Sequence, residues 1–285
     1  MLRPATAADL LAVTELYRAD DVVWFGAPEH DIDEVRDELA PVADLAAQSA
    51  LVFDETVLVG AAWWWGNETC LLAAAGPGRR GVLDRLLGAA VAAGQREAYS
   101  LARDTEQLAA LEALGWRHVR SSFDLVRAVS PDWTLDEPVW PEGITVSPMR
   151  ADEPAAVHEL IYVDAAWDEV EGHHRRGFDE WRTIFLPADL PDPGYLVARR
   201  DGRPVGVALT RTTSDGTGWV NQLAVAASER GRGLGRALLL AALRGRRDTG
   251  ARQLGLGVQA ANATALTLYE SVGLRIDREY RTFKP

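Results

Sequence analysis

At 285 residues, against roughly 150 per domain, the chain is long enough for two domains with full cores. Its 42 acidic and 30 basic residues leave a formal charge of −12, which opposes general binding to nucleic acid or to an anionic membrane surface. Lys284 is the only lysine and Cys70 the only cysteine, so a Walker-A loop, an internal Schiff-base lysine, an intramolecular disulfide, a cysteine-rich zinc site and an iron–sulfur cluster are all excluded.

The first residues, Met1 to Thr6, lack a basic region followed by an apolar one. The longest apolar runs, 58–65 and 237–243, fall far short of the ~20 residues of a membrane span, so the expectation is a soluble cytoplasmic protein. Residues 31–39 predict a surface helix with Ile32, Val35 and Leu39 on its apolar side. Residues 51–53 and 57–65 predict a hairpin that ends on three consecutive tryptophans. Alternation sets Trp63 and Trp65 on one face and Trp64 on the other, for packing or as a flat wall for an acceptor. Cys70, in an apolar stretch, reads as buried filler. A helix follows Arg80-Gly81-Val82, and residues 104–116 predict a helix capped by Asp104, closed by Gly115 and followed by a strand.

Residues 130–143 hold three prolines and a terminal glycine without strand or helix period, and place a linker between domains at 1–129 and 144–285. Residues 162–181 gather Asp164, Asp168, Glu169, Glu171, His173 and His174, a charged helix junction. The adjacent histidines lack i,i+4 ligand spacing, so no metal is expected. A second hairpin, 195–199 and 204–210 around Asp201-Gly202, repeats the first, with Val205-Gly206 over Val59-Gly60.

The most informative stretch is 218–236. An alternating strand containing Gln222, Leu223, Ala224 and Val225 runs through Arg230-Gly231-Arg232-Gly233-Leu234-Gly235-Arg236 into a helix. Free backbone N–H groups at a helix mouth, glycines that admit close approach and three arginines make an anion site suited to a pyrophosphate. The dinucleotide pattern fails from either start, because it needs a small residue where Arg236 or Leu238 stands. A strand at 254–258 and a helix with Asn262 and Tyr269 come next. Seven residues is nearly two turns, so both side chains project from one face about 10 Å apart.

Three correspondences give a tandem duplication: the two hairpins, the helices after Arg80-Gly81-Val82 and Arg232-Gly233-Leu234, and residues 104–116 over 262–274. Each half then reads helix, helix, hairpin, strand, loop, helix, strand, helix, strand, an α/β architecture with a mixed β-sheet flanked by helices. The string Arg230-x-x-Gly233-x-Gly235, together with the strand at 254–258 and the helix bearing Asn262 and Tyr269, resembles the acyl-CoA site of the GNAT superfamily of N-acyltransferases, in the tandem form of mycothiol-synthase-like proteins. That resemblance implies two GNAT domains, the first degenerate. There Gly78 stands for Arg230, Leu83 for Gly235, Asp104 for Asn262 and Leu111 for Tyr269. A mycothiol synthase itself would carry a strand carboxylate near Trp219, and this chain has none there.

The resemblance further implies acetyl-CoA as cosubstrate, held by the loop residues 230–236 and by Asn262, with its arm between two splayed strands. An amine attacks the thioester directly, strand N–H groups at Leu223, Ala224 and Val225 polarise the carbonyl, and Tyr269 meets the leaving sulfur as catalytic acid. The strand offers Asn221 and Gln222, neither of them a base, where many relatives place a glutamate, which leaves the general base unassigned, with a water chain as one route. The acceptor side falls at residues 162–181, making Asp168, Glu169 and Gln222 candidate substrate-binding residues. The expected partner is a small-molecule amine bound by a monomer or homodimer. A non-catalytic acyl-CoA sensor and a protein N-acetyltransferase with an open groove are the alternatives. The charge divides unequally: residues 1–142 carry 24 acidic and 11 basic groups, while 143–285 carry 18 and 19, so the half with the anion loop is near neutral.

Overall fold

The computed structural model describes every residue except 40–41, 43, 66–67, 77, 168–174, 187–189 and 214. Asp168, Glu169, Glu171, His173 and His174 therefore lie outside the described residues. The first half runs β1 (Leu2–Arg3), α1 (Leu10–Phe25), α2 (Ile32–Leu39), β2 (Ser49–Asp54), β3 (Val57–Trp65), β4 (Glu68–Ala73), α3 (Arg79–Ala92), β5 (Glu97–Leu101), α4 (Thr105–Ala113) and β6 (Arg117–Ala128). The second runs β7 (Ile144–Pro148), α5 (Pro154–Glu159), a π-helical continuation (Leu160–Asp164), α6 (Phe178–Phe185), β8 (Tyr195–Arg200), β9 (Arg203–Thr212), β10 (Thr217–Val225), α7 (Leu234–Asp248), β11 (Gln253–Gln259), α8 (Ala263–Ser271) and β12 (Arg275–Lys284). The element order expected from the duplication recurs in both halves.

Local chemistry accounts for the boundaries. Asp201 and Gly202, at φ 51° and 78°, form the two-residue turn that matches strand twist between β8 and β9. Asp104 accepts the N–H of Gln107 at 3.0 Å and caps α4, and Gly115 and Gly273 follow α4 and α8 with φ of 82° and 96°. The two glycines of the repeated hairpin allow helices to lie on the sheet. A Cβ on Gly60 would stand 2.3 Å from Val82 Cγ1, and one on Gly206 2.8 Å from Leu238 Cδ1.

Compactness divides the chain differently from the expected 1–129 and 144–285. One unit comprises Met1–Phe123, Gln259–Asn262 and Asp277–Pro285, the other Asp124–Val258 and Ala263–Ile276. The cause is the final strand: β12 pairs antiparallel with β5, Tyr280 opposite Leu101 and Phe283 opposite Ala98, and so completes the first unit. In that unit strands follow the order β1-β2-β3-β4-β5-β12, and in the other β11-β10-β9-β8-β7.

Each sheet is covered on both faces. In the first unit Trp64, Leu71, Leu83, Leu87 and Leu111 form the core under α3 and α4, while Trp63, Cys70, Tyr17 and Val35 form the core under α1 and α2. Trp63 and Trp64 thus pack on opposite faces, as alternation requires, and Cys70 is buried. In the second unit Leu160, Trp181, Val207, Leu209 and Ala224 pack between the sheet and α5–α6, and the apolar stripe Leu234, Ala237, Leu238 and Leu239 seats α7 on the other face.

Residues 130–143 contain no helix or strand, yet they are strapped to the second unit. Trp133 donates its indole N–H to Val272 O at 3.1 Å and lies where a Cβ on Gly273 would be, 2.7 Å from its Nε1. Arg244 donates to Leu135 O at 2.8 Å.

Candidate functional site

The glycine-rich turn of the second unit lies between a 3-10 turn, Ala227–Glu229, and α7. Gly231 and Gly233 take φ of 74° and 84°, a left-handed conformation that costs an L side chain roughly 1–2 kcal/mol. Gly233 is the residue before the helix, and Ala237 N–H to Gly233 O at 3.0 Å is the first rung of the ladder. The N–H groups of Leu234, Gly235 and Arg236 are left at the helix mouth without a helical acceptor. No atom lies within 4 Å of an added Cβ at Gly231 or Gly233, so the turn is open in front of them.

The loop arginines divide their work. Arg230 donates to Ala165 O at 2.6 Å, tying the loop to the end of the π-helical segment, whose own closing bond is Ala165 N–H to Leu160 O at 2.8 Å. Arg236 donates to Ser271 Oγ and Asp136 Oδ2, each at 2.8 Å. Arg232 is exposed and stands 3.7 Å from Glu229. Glu229 is held by Arg200 at 2.7 and 3.0 Å, which keeps its carboxyl below the ordinary range and neutralises it. Cationic charge therefore predominates at the helix mouth.

Beside the loop the strands part. β10 pairs parallel with β11 from Thr217 opposite Gln253 to Val220 opposite Leu256 and no further, although β10 continues to Val225. Leu223, Ala224 and Val225 stay paired on their other side with Ala208, Val207 and Gly206 of β9. A bulge at Asn221 interrupts that ladder. Val225 faces α7 and α8: a Cβ on Gly235 would meet its Cγ2 at 3.7 Å and Leu268 Cδ2 at 3.8 Å. Gln222 faces the opposite way, toward α6, where Trp181 donates its indole N–H to Gln222 Oε1 at 2.9 Å.

Tyr269 lies on α8, which Leu268 and Ser271 bring against the start of α7. It is 8% exposed, and burial alone pushes its hydroxyl up to about 12, so it carries its proton at neutral pH. Asn262 immediately precedes α8, with its N–H on Gln259 O at 2.9 Å, at the position that Asp104 occupies before α4. Trp219 lies across its parallel neighbour, whose Gly255 has no Cβ to meet the indole, 2.6 Å away.

The matching place in the first unit is full. Arg79 forms a two-pronged ion pair with Asp104 (2.8 and 2.5 Å), both side chains 5% exposed, and its Nε donates to Ala73 O at 3.1 Å. Gln107 donates to Tyr99 O at 3.2 Å, Leu111 is in the core and Gly78, not Gly81, precedes α3. Strand alternation and glycine spacing give no sign of Arg79's partner, nor of Trp181 as the partner of Gln222. Both meet across 25 to 41 residues and are set only by packing. An open depression of about 500 Å³ bordered by His158, Arg175, Arg176 and Phe178 includes none of the loop residues. Among the described residues no histidine, cysteine and carboxylate cluster with metal-site geometry occurs, and no helix is long and apolar enough to cross a membrane.

Residues 156–274 match the family model described as the acetyltransferase (GNAT) family. A mycothiol acetyltransferase of Thermobispora bispora is 34% identical over 220 residues, 71% of this chain and 71% of that protein. One of Thermomonospora curvata is 34% identical over 181 residues, 60% of this chain but 57% of the relative, so the match spans little more than half of that protein's length. A GCN5-related N-acetyltransferase of Sphaerobacter thermophilus has the same fold at TM-score 0.81 and 22% identity, covering 100% of this chain and 95% of its own. A tandem GNAT protein from the clavulanic acid biosynthesis pathway shares it at TM-score 0.74 and 16% identity, covering 100% and 98%.

Proposed function

The chain belongs to the acetyltransferase (GNAT) family, and from that premise we propose that its second unit transfers acetyl from acetyl-CoA to the amine of a small-molecule acceptor by direct attack. The observation that carries this reading is the convergence of three elements. The first turn of α7, the open end of β10 and α8, the helix that bears Tyr269, meet at Gly235, Val225 and Leu268. The N–H groups at residues 231–236, with Arg232, suit the pyrophosphate. Arg230 and Arg236 act mainly by fixing the loop, since their guanidinium groups already hold Ala165 O, Ser271 and Asp136.

In the reaction the acceptor nitrogen bonds to the acetyl carbon, the carbon–sulfur bond breaks and the sulfur departs as thiolate. Tyr269 enters this step with its proton in place, as a group at about 12 must at neutral pH, and gives it to the sulfur or hydrogen-bonds to it. The strand near the break carries amides, Asn221 and Gln222, instead of a carboxylate, so the acceptor's surplus proton leaves through water. Asp168 and Glu169, outside the described residues, are candidates on their chemistry alone to pair with the acceptor's ammonium group. The protein works as a soluble monomer or homodimer.

The test is acetyl-CoA-dependent thiol release across an amine panel, comparing wild type with Tyr269→Phe. Loss of the proton donor lowers kcat by about 10²-fold or more with CoA affinity nearly unchanged. Tight CoA binding with no turnover on any amine class would make the protein an acyl-CoA sensor instead.

A further inference from the structure

The bulge at Asn221 decides which face Gln222 serves. Regular alternation would place Trp219 and Asn221 on one face and Val220 and Gln222 on the other. Because Val220 pairs with Thr210 and Gln222 with Leu209, the extra residue moves Gln222 to the face of Leu209 and Trp181. It stands two residues beyond the last β10–β11 pair, where the strands have parted, and is 4% exposed.

Trp181 is fully buried, and its indole nitrogen can only donate. The 2.9 Å contact therefore fixes the oxygen of Gln222 toward Trp181 and turns the amide NH₂ the other way. Among the described residues nothing accepts from that NH₂, and the nitrogen is not among the enclosed unpaired atoms, so it reaches accessible space. A nearly buried amide with an anchored oxygen and two open donors is a prepared hydrogen-bond donor site. It lies on the face of the sheet opposite α7 and the glycine loop, the face from which an acceptor meets a thioester threaded between β10 and β11.

On the basis of the acetyl-transfer reading, we propose that Gln222 is a specificity-determining residue, held by Trp181 as a positioning residue. It donates to an oxygen beside the reacting nitrogen, so the preferred acceptors are amines bearing a hydroxyl or carbonyl oxygen next to the amine-bearing carbon. A glutamate there would accept Trp181's proton equally well but would offer no donor, and would favour a bare ammonium group instead.

Two probes with the same frame isolate the oxygen: 2-amino-1-phenylethanol and 2-phenylethylamine, with rates expressed per free amine because their basicities differ. The full-length wild type favours the amino alcohol by about tenfold in kcat/KM. Gln222→Leu brings the ratio close to one, mainly by raising KM for the amino alcohol. Gln222→Glu, which keeps size and the Trp181 contact, inverts the preference. Trp181→Phe weakens the preference with CoA affinity unchanged, which separates positioning from loss of fold. A wild type indifferent to the hydroxyl, or a ratio unchanged in Gln222→Leu, overturns the proposal while acetyl transfer stands. Failure to bind CoA in calorimetry, or no turnover with either amine or across the amine panel, overturns both.

Discussion

The two units carry the same helix on the same strand but begin it three residues apart. Gly60 is opposite Ala73 and receives Val82 and Leu86, while Gly206 is opposite Val225 and receives Leu234 and Leu238, which fixes the equivalence of the helices. On that equivalence Arg79, Arg80 and Gly81 correspond to Gly231, Arg232 and Gly233. In the first unit those residues are already helical behind a left-handed Gly78, at φ 87°. In the second they form an open turn, and the helix waits for Gly233, at φ 84°. The extra turn advances α3 by about 4.5 Å and brings Arg79 inward to Asp104 and Ala73 O. A helix start shifted by one turn thus distinguishes a cleft filled by the protein's own arginine from a turn with open space in front of its glycines.

The largest consequence concerns ligand count. On the proposed function the expected stoichiometry is one CoA per chain, and Gly233→Val, which forces a branched residue into a left-handed position at the helix mouth, should reduce it to none in calorimetry. Two CoA molecules per wild-type chain, or one retained in Gly233→Val, would break the contrast between the units.

Next comes the pair that fills the first cleft. Asp104→Ala leaves Arg79 buried without its partner and lowers unfolding free energy by about 3–5 kcal/mol in denaturant titration. Asn262→Ala at the matching position of the repeat should lose only about 1 kcal/mol, as the residue that precedes α8. Equal stability losses at the two positions would argue that both clefts are structural.

The smallest effect is a pH dependence confined to the first unit. Asp20, bonded to the Trp24 indole at 3.0 Å, is pushed up to about 6 from 3.8 by burial, with Arg79 only partly opposing. Since the folded value is the higher one, its contribution to stability is complete below about pH 4 and is lost as pH rises through 6. Asp20→Asn should therefore be more stable than wild type by about 3 kcal/mol at pH 7.5, a gap that closes as pH falls below 4, by thermal unfolding across that range. A gap that does not change with pH would remove Asp20 from this account.

The same contrast shows what could be read from residues in order. Asp201-Gly202, the cap at Asp104, the closing glycines 115 and 273 and the stripe of α7 act over a few residues, and these elements lie where local chemistry puts them. The glycine turn and the helix bearing Tyr269 were legible for the same reason. The bulge at Asn221, the exchange of β12 into the first unit and the anchoring of Gln222 by Trp181 were not, because each depends on a partner many residues away. Residues 130–143 have the composition of a linker, yet Trp133 finds a seat over Gly273 that composition does not reveal.

The sequence by itself determined the doubled α/β plan, the glycine-rich turn before α7 and the buried-core periodicity, since helix and strand periods, glycine conformations and N-caps are local energies. Tertiary structure alone decided which cleft stays open. Arg79 and Asp104 are ordinary surface-type residues in sequence, and only the start of α3 one turn earlier on an equivalently seated helix brings them together as a buried pair.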